Sequence, residues 1–247
     1  MSAASVSRAS PVLFEDCVDS TNLYLRRMAD TAADGTAVVA ASQSAGRGRM
    51  GRSFLSPEGG LYLSVLLRPE TDPERLPTLT PAAAVAVCRA VDELCGVHCG
   101  IKWPNDVLLD GKKICGILVE SVLGGEKPCV IVGIGINANT ASFPEELRPI
   151  AGSIAEASGR RVDLHALAEA LLRELDGLYA AWLSDAGAAL EEYRSRCASC
   201  GREVIVGERR GFALRVGDDY SLLVRFSDGA EEALRFGEVS VRGLYGA

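Results

Sequence analysis

Between Ile101 and Asn137 the chain alternates β-favouring runs with turns too short to contain a helix. Ile101-Lys102 ends one strand at a proline bend (Trp103-Pro104-Asn105-Asp106), Val107-Leu108-Leu109 resumes, and Asp110-Gly111 forms a hairpin turn. Lys112 to Glu120 returns, a second hairpin falls at Gly124-Gly125, and Cys129 to Ile136 closes the series. Parallel neighbours need a crossover of a dozen or more residues, so these turns demand an antiparallel or mixed sheet and exclude a doubly wound one. Gly133-Ile134-Gly135-Ile136-Asn137 is therefore no dinucleotide fingerprint: the third glycine of that motif is absent and no helix follows in phase. Gly116, inside the returning strand, reads as a point of close approach by another backbone or a ligand, with Lys113 at the strand mouth.

The flanking segments supply the rest of an α+β fold. Val12 to Val18 reads as a strand, and Asp19-Ser20-Thr21-Asn22 offers N-cap residues to a helix carrying Leu23, Leu25, Met28 and Ala29. Hydroxyls beside free N–H groups there could cradle a carbonyl or anion, although a plain cap is the simpler local account. Ala37 to Ala41 and Leu61 to Arg68 are further strands, and Thr80-Pro81 opens a long helix with Ala84, Val85, Val87, Cys88, Val91, Leu94 and Cys95 on its apolar face. Asp163 caps a packing helix that runs from Leu164 through Trp182, and a shorter helix spans Gly187 to Ser195. From Ser199 onward, short alternating strands punctuated at Gly207, Gly217-Asp218 and Asp228-Gly229 predict a small all-β barrel. Residues 1–198 thus form a main domain and 199–247 an appended one.

One loop stands apart in charge. From Ser42 to Ser56, Arg47, Arg49 and Arg52 alternate with Gly46, Gly48 and Gly51, and no acidic residue lies between Ala37 and Pro57, in a chain of net charge -7. Glycine permits close backbone approach, and arginine presents a rigid fork of donors to phosphate or carboxylate. A site for a multiply charged anion and a solvated basic turn both remain open on this loop alone.

The acidic balance excludes non-specific nucleic-acid binding, which relies on a broad positive surface. No apolar run reaches membrane-spanning length, and Met1 to Pro11 lacks the apolar core of a secretory signal, so cytoplasmic residence is expected. Eight cysteines suit a reducing compartment. Cys17, Cys88, Cys115 and Cys129 read as small core residues; Cys197-Ala-Ser-Cys200 and the looser Cys95/Cys99 pair lack the flanking residues of a zinc knuckle, and no cysteine metal site is expected.

Taken together, five ordered blocks resemble the bacterial biotin protein ligases: Ser20-Thr21-Asn22; Gln43 with Ala45-Gly46-Arg47-Gly48-Arg49-Met50-Gly51-Arg52; Lys102-Trp103-Pro104-Asn105-Asp106; Lys113 with Gly116-Ile117-Leu118-Val119-Glu120; and Gly133-Ile134-Gly135-Ile136-Asn137. The resemblance covers nearly the whole chain. It implies a catalytic domain related to class II aminoacyl-tRNA synthetases followed by an SH3-like barrel. It also implies that biotin and MgATP yield biotinyl-5'-AMP and pyrophosphate, and that the adenylate then biotinylates a lysine of a biotin carboxyl carrier protein. Repressor members begin with a DNA-binding winged helix; this sequence starts at the catalytic domain, so no nucleic-acid role is expected.

By the same resemblance, Ser20, Thr21, Asn22 and Gln43 hold the ureido ring and tail of biotin, with Gly116 and Leu118 in the same pocket. Arg47, Gly48 and Arg49 run along carboxylate and phosphate, and Lys113 contacts the reacting carboxylate. Arg52, Phe54, Lys102, Asn105 and Asn137 belong to the ATP side, where Asp106 is the candidate Mg2+ ligand. Lys113, Arg49 and Lys102 are the expected catalytic cations. Phe54 stands where many relatives carry tryptophan, which implies weaker adenine stacking, and Met50 removes one possible phosphate contact. Lipoate ligases and octanoyltransferases share the fold, but their glycine triplet with a His-Asp pair is absent. A non-catalytic sensor would not need Lys113 and the loop arginines, all of which are present. The resemblance leaves the protein a monomer or a weak homodimer, with the Lys112 to Leu123 strand as a candidate pairing edge. The Gln43 to Phe54 loop is expected to be mobile in the free protein and to order over the adenylate, because its glycines make ordering costly, about 1–2 kcal/mol per residue.

Overall fold

The computed structural model describes residues 10–123, 128–235, 237 and 239–245. Its main sheet has seven strands: β1 (Val12–Val18), β2 (Ala37–Gln43), β3 (Leu61–Leu67), β4 (Gly100–Lys102), β5 (Asp106–Leu109), β6 (Lys112–Val122) and β7 (Cys129–Ile136), in the spatial order β1-β2-β3-β7-β6-β5-β4. Only β1 and β2 run parallel, because helix α1 (Thr21–Arg27) provides the crossover between them; every other pair is antiparallel, as tight turns require. At the Asp110-Gly111 turn both residues take positive φ, 48° and 70°, the geometry that a two-residue hairpin of matching twist needs. The Gly124-Gly125 turn lies outside the described residues.

Strand alternation divides the sheet into two faces. Val39, Leu63, Val65, Val132 and Ile134 point to one side, where α2 (Leu79–Cys95) and α4 (Leu164–Ser184) bury Ala84, Val87, Cys88, Leu171 and Leu172 against them. The intervening residues point the other way. Val38, Leu66 and Ile131 meet Leu25 and Ala29 of α1, and further along Val18, Ala40 and Tyr62 meet Phe54. The second face is thus only partly roofed, which leaves a cleft over β3, β7 and β6.

Local details depart from the sequence reading in identifiable ways. α2 begins at Leu79, after a 3-10 segment Pro73–Thr78 whose Asp72 cap accepts from the Glu74 N–H. A helix α3 (Ile154–Ser158) was not expected, although Ser153, three residues before Glu156, accepts its N–H as a cap should. The Asp163 cap of α4 is as expected, accepting from His165 and Ala166 N–H. Helix α5 spans Leu190–Arg196; it starts later than Gly187 because the Asp185 carboxylate holds the Gly187 N–H in a turn. β6 is not a free edge over its whole length: β5 pairs with Lys112 to Gly116, so only the stretch beyond lies open on that side.

The C-terminal strands β8 (Arg202–Val206), β9 (Arg209–Val216), β10 (Leu222–Phe226), β11 (Glu231–Leu234) and β12 (Ser240–Val241) form an antiparallel sheet in the order β11-β10-β9-β8-β12. Among the described residues β11 and β12 do not pair, so this sheet is open where a closed barrel was expected; β11 is mostly exposed and β12 has two residues, too little to complete a ladder. Its inner face, including Val204, Ala213 and Val224, joins the core of the main domain. Trp103 fastens the junction by donating its indole N–H to the Tyr220 carbonyl at 2.8 Å. Among the described residues no helix is long and apolar enough to cross a membrane.

Candidate active site

The open part of the sheet face is a cleft with three walls: the β1–α1 junction, the arginine-glycine loop and the Lys102 to Lys113 region. Ser20, Thr21, Asn22, Gln43, Arg47, Gly48, Arg49, Arg52, Phe54, Lys102, Asn105, Asp106, Lys113, Gly116 and Leu118 all line it. Residues far apart in sequence therefore meet in one place.

At one end lies a buried, neutral hydrogen-bond lattice. Ser64, fully buried on β3, donates its hydroxyl to Asn22 Oδ1 at 2.7 Å and shares a second hydroxyl–hydroxyl bond of 2.7 Å with Thr21 Oγ1. Gln43 Oε1 accepts from the Thr21 N–H at 2.8 Å, and Gln43 Nε2 donates to Ser56 Oγ at 2.8 Å. Ser20 occupies the cap position of α1 but makes no side-chain cap bond, so its hydroxyl is not spent on the helix. At the edge of this lattice, outside its neutral core, Asn22 Nδ2 donates to Glu120 Oε2 at 2.8 Å, and Arg47 pairs with that carboxylate at 3.0 Å. Sequence reasoning gave no role to Ser64 or Glu120. Their signal was faint, a serine and a glutamate at alternate positions whose strand partners could not be known.

The glycines of β6 and β7 form the floor. A Cβ on Gly133 would run into the Asn22 side chain, and one on Gly135 would lie 2.6 Å from Phe54 Cε1. Gly116, paired with Gly135 across the ladder, would place a Cβ 3.1 Å from Phe54 Cε2. Close approach is thus the reason for these glycines, as the interior position of Gly116 suggested. Gly133 and Gly135 are two residues apart on one strand, so Asn22 and Phe54 sit roughly 7 Å apart along the floor.

The other end is cationic. Lys113 Nζ lies 2.7 Å from Asp106 Oδ1, Arg49 donates to Asn105 Oδ1 at 2.7 Å and to the Gly237 carbonyl at 3.0 Å, and Asn105 Nδ2 donates to Asp106 at 3.1 Å. Lys102 Nζ stands 5.2 Å from the centre of the Tyr245 ring. Asn137 does not line the cleft: it is buried behind the wall, its N–H donates to the Ile114 carbonyl and its side chain reaches the Lys113 carbonyl at 3.4 Å. It steadies the backbone that carries Lys113.

The arginine-glycine loop is folded rather than open. Arg47 bridges to Ser53, Gly48 N–H donates to the Arg52 carbonyl at 2.7 Å, Phe54 N–H donates to the Gly46 carbonyl at 2.8 Å, and Met50 and Gly51 take positive φ at its tip. Backbone bonds and the partners of Arg47 and Arg49 offset ordering costs that a bound anion alone was expected to meet.

A model of the biotin/lipoate A/B protein ligase family matches residues 14–137. The bifunctional ligase/repressor BirA of Bacillus spizizenii is 44% identical over 157 residues, 62% of this chain and 48% of that protein. The chain therefore spans about half the length of that relative. The biotin--[acetyl-CoA-carboxylase] ligase of Mycobacterium tuberculosis is 36% identical over 194 residues, 76% of this chain and 71% of that protein. Among solved structures, the biotin protein ligase from Aquifex aeolicus in complex with biotin and ATP superposes with a TM-score of 0.82 at 31% identity, covering 94% of this chain and 98% of that one.

Proposed function

The chain belongs to the biotin/lipoate A/B protein ligase family, and from that premise we propose that it is an ATP-dependent ligase that forms biotinyl-5'-AMP and transfers biotin to a lysine of a biotin carboxyl carrier protein. The observation that carries this reading is the polarity of the cleft: a neutral, buried lattice at one end and a cluster of arginines and lysines at the other. Biotin has the same polarity. Its ureido ring needs both donors and acceptors, which Ser20, Thr21, Asn22 and Gln43 supply, and its tail ends in a carboxylate. Leu118 and Ile134 add apolar lining to the cleft for the chain that joins ring and carboxylate.

In the first step a biotin carboxylate oxygen attacks the α-phosphorus of ATP; the bond to the bridging oxygen breaks and pyrophosphate leaves. Two anions must approach each other, so fixed cations lower the barrier mainly through preorganised electrostatics, each worth roughly two to three orders of magnitude in rate. Lys113, Arg49 and Lys102 are the cations assigned to this charge, with Arg52 lining the same cleft and Arg47 paired to Glu120 nearer the lattice. In the second step a lysine amine of the carrier attacks the acyl carbon and AMP departs. No side-chain nucleophile is required.

Among the described residues no group of three or more His, Cys, Asp or Glu side chains could hold a metal by itself. Mg2+ is commonly held by one or two carboxylates with substrate phosphates and waters, a donor set that Asp106 fits once ATP is present. Bound there, the ion would neutralise phosphate charge; Asp106 would then give up part of its pairing with Lys113, freeing that ammonium for the substrate carboxylate.

The test is incubation with labelled biotin, MgATP and a carrier domain. Label on the carrier lysine, dependent on both biotin and ATP, is the expected result; transfer of lipoate or octanoate in preference to biotin would sink the reading, and so would binding of biotin without pyrophosphate release.

A further inference from the structure

The turn Cys197-Ala198-Ser199-Cys200 joins α5 to β8, and its two thiols lie 3.6 Å apart, Cys200 donating to Cys197. Both are free, Cys197 nearly buried and Cys200 half-buried. The same turn grips β4. Ala198 N–H donates to the Ile101 carbonyl at 2.8 Å, and the buried Ser199 Oγ accepts the Trp103 N–H at 3.1 Å. β4 leads directly into Lys102, Asn105 and Asp106 of the cleft.

We propose that Cys197 and Cys200 are a redox-active dithiol that a peroxide converts to a disulfide, and that closing this bond shifts β4 and with it the nucleotide side of the cleft. The dithiol itself stands independently of the ligase reading; only its effect on nucleotide use rests on that reading. Two residues between cysteines are enough for a disulfide ring, and the sulfurs need approach by only about 1.5 Å to reach bonding distance. The other thiols do not compete. Cys88 and Cys99 also share a hydrogen bond, but both are fully buried, and Cys17 is exposed without a partner thiol.

The two cysteines are electrostatically unequal. The hydrogen bond from Cys200, aided by the N–H groups of Ser199 and Cys200 and opposed by burial, holds the Cys197 thiol below its ordinary range, while Cys200 is pushed up by the same bond and by burial. Cys197 is therefore the attacking sulfur. Its thiolate attacks one peroxide oxygen and breaks the O–O bond, giving a sulfenic acid on Cys197 and a hydroxide that takes up the proton Cys197 released, forming one water. The Cys200 sulfur then attacks the sulfenic sulfur, the S–S bond forms, the S–O bond breaks, and the hydroxyl leaves with the Cys200 proton as a second water. Two thiols lose two electrons and two protons, and the peroxide takes them up. A small uncharged oxidant suits a sulfur so nearly buried.

Trypsin cleavage after Arg196 and Arg202 releases both cysteines in one peptide, which makes the test direct. The whole protein is treated with hydrogen peroxide, quenched with N-ethylmaleimide and digested, in parallel with hydrogen exchange of the intact protein. The expected result is an unalkylated Cys197–Arg202 peptide about 2 Da lighter than the dithiol, with several-fold faster exchange at the Trp103 amide, both reversed by dithiothreitol. Cys200→Ser should instead trap a dimedone adduct on Cys197. A peptide that remains doubly alkylated while Cys17 is oxidised would overturn the dithiol, and a disulfide with unchanged exchange over Gly100 to Asp106 would overturn the coupling. Adenylate formation, measured on the same samples, should show a raised KM for ATP after oxidation. Absence of adenylation in the reduced protein would instead fault the ligase reading and leave the disulfide result standing.

Discussion

Lys113 Nζ and Gly116 face the same space although they stand three positions apart: a Cβ on Gly116 would lie 3.4 Å from that nitrogen. Strict alternation would place positions 113 and 116 on opposite faces. A register shift resolves this, because Val107 pairs with Cys115 while Leu108 pairs with Lys113, and Ile114 is skipped in the pairing with β5. The bulge turns Lys113 into the cleft, where it meets Asp106.

That placement makes Lys113 the first residue to test. Lys113→Ala should slow biotin-dependent pyrophosphate release by roughly two to three orders of magnitude. Its ion pair is partly exposed and worth about 1 kcal/mol or less, so the urea midpoint should scarcely move. Release at the wild-type rate would remove Lys113 from the chemistry.

Gly135 and Phe54 should be energetically coupled. Gly135→Ala forces the Phe54 ring aside, at a cost of about 1–3 kcal/mol for overpacking, and should raise the KM for ATP. Adding Phe54→Leu frees the space, so the double variant should be more stable than the sum of the singles predicts. A strictly additive double-mutant cycle would show that the ring does not rest on this glycine.

Ser64 reaches the site only through other side chains. Ser64→Ala removes one partner each from Thr21 and Asn22 in a buried setting, and should destabilise the fold by about 1–3 kcal/mol. The KM for biotin should rise while kcat changes little if, as proposed, the lattice holds the ring end rather than the reacting carboxylate. A fall in kcat with unchanged KM would contradict that assignment.

The folded loop makes a proteolysis prediction sharper. Met50 at the tip is strongly exposed, with Arg49 and Arg52 on either side of it, while Arg47 pairs with Glu120 nearer the base of the loop. Trypsin should therefore cut first near the tip, after Arg49 or Arg52, and biotin with MgATP should protect these bonds far more than ATP alone. Identical digestion rates with and without both substrates would rule out closure over the adenylate.

Acid titration tests the clamp beside the lattice. Hydrogen bonds from the Arg27 guanidinium hold the Asp19 carboxyl at about 2, below its ordinary 3.8. A depressed carboxyl stabilises the fold above its unfolded value and loses that contribution as pH falls through the folded one. The urea midpoint of Asp19→Asn should lie below that of the wild type at pH 6, and the gap should close between pH 4 and pH 2. Because the pair is largely exposed the gap will be small, and a gap independent of pH would exclude the clamp as its source.

What the sequence determined by itself was whatever short-range physics controls. Turn chemistry at Asp110-Gly111, strand alternation, the Asp163 cap and the sign inversion at Arg47, Arg49 and Arg52 each act within a few residues, and the antiparallel hairpins and the cationic loop follow from them. Ser20-Thr21-Asn22 was legible as a motif but not as a lattice, because its partner Ser64 lies 42 residues beyond Asn22 and is recruited only when β3 passes beneath α1. Asn137 was read as a ligand-side residue, yet the structure turns it behind the wall, since its amide bonds to the Ile114 carbonyl. The bulge that aims Lys113, the seat of Phe54 over Gly116 and Gly135, and the grip of the Cys197 to Cys200 turn on β4 were decided by tertiary structure alone. Each depends on which strand lies alongside which, and on the one-residue shift that reverses a side chain's face.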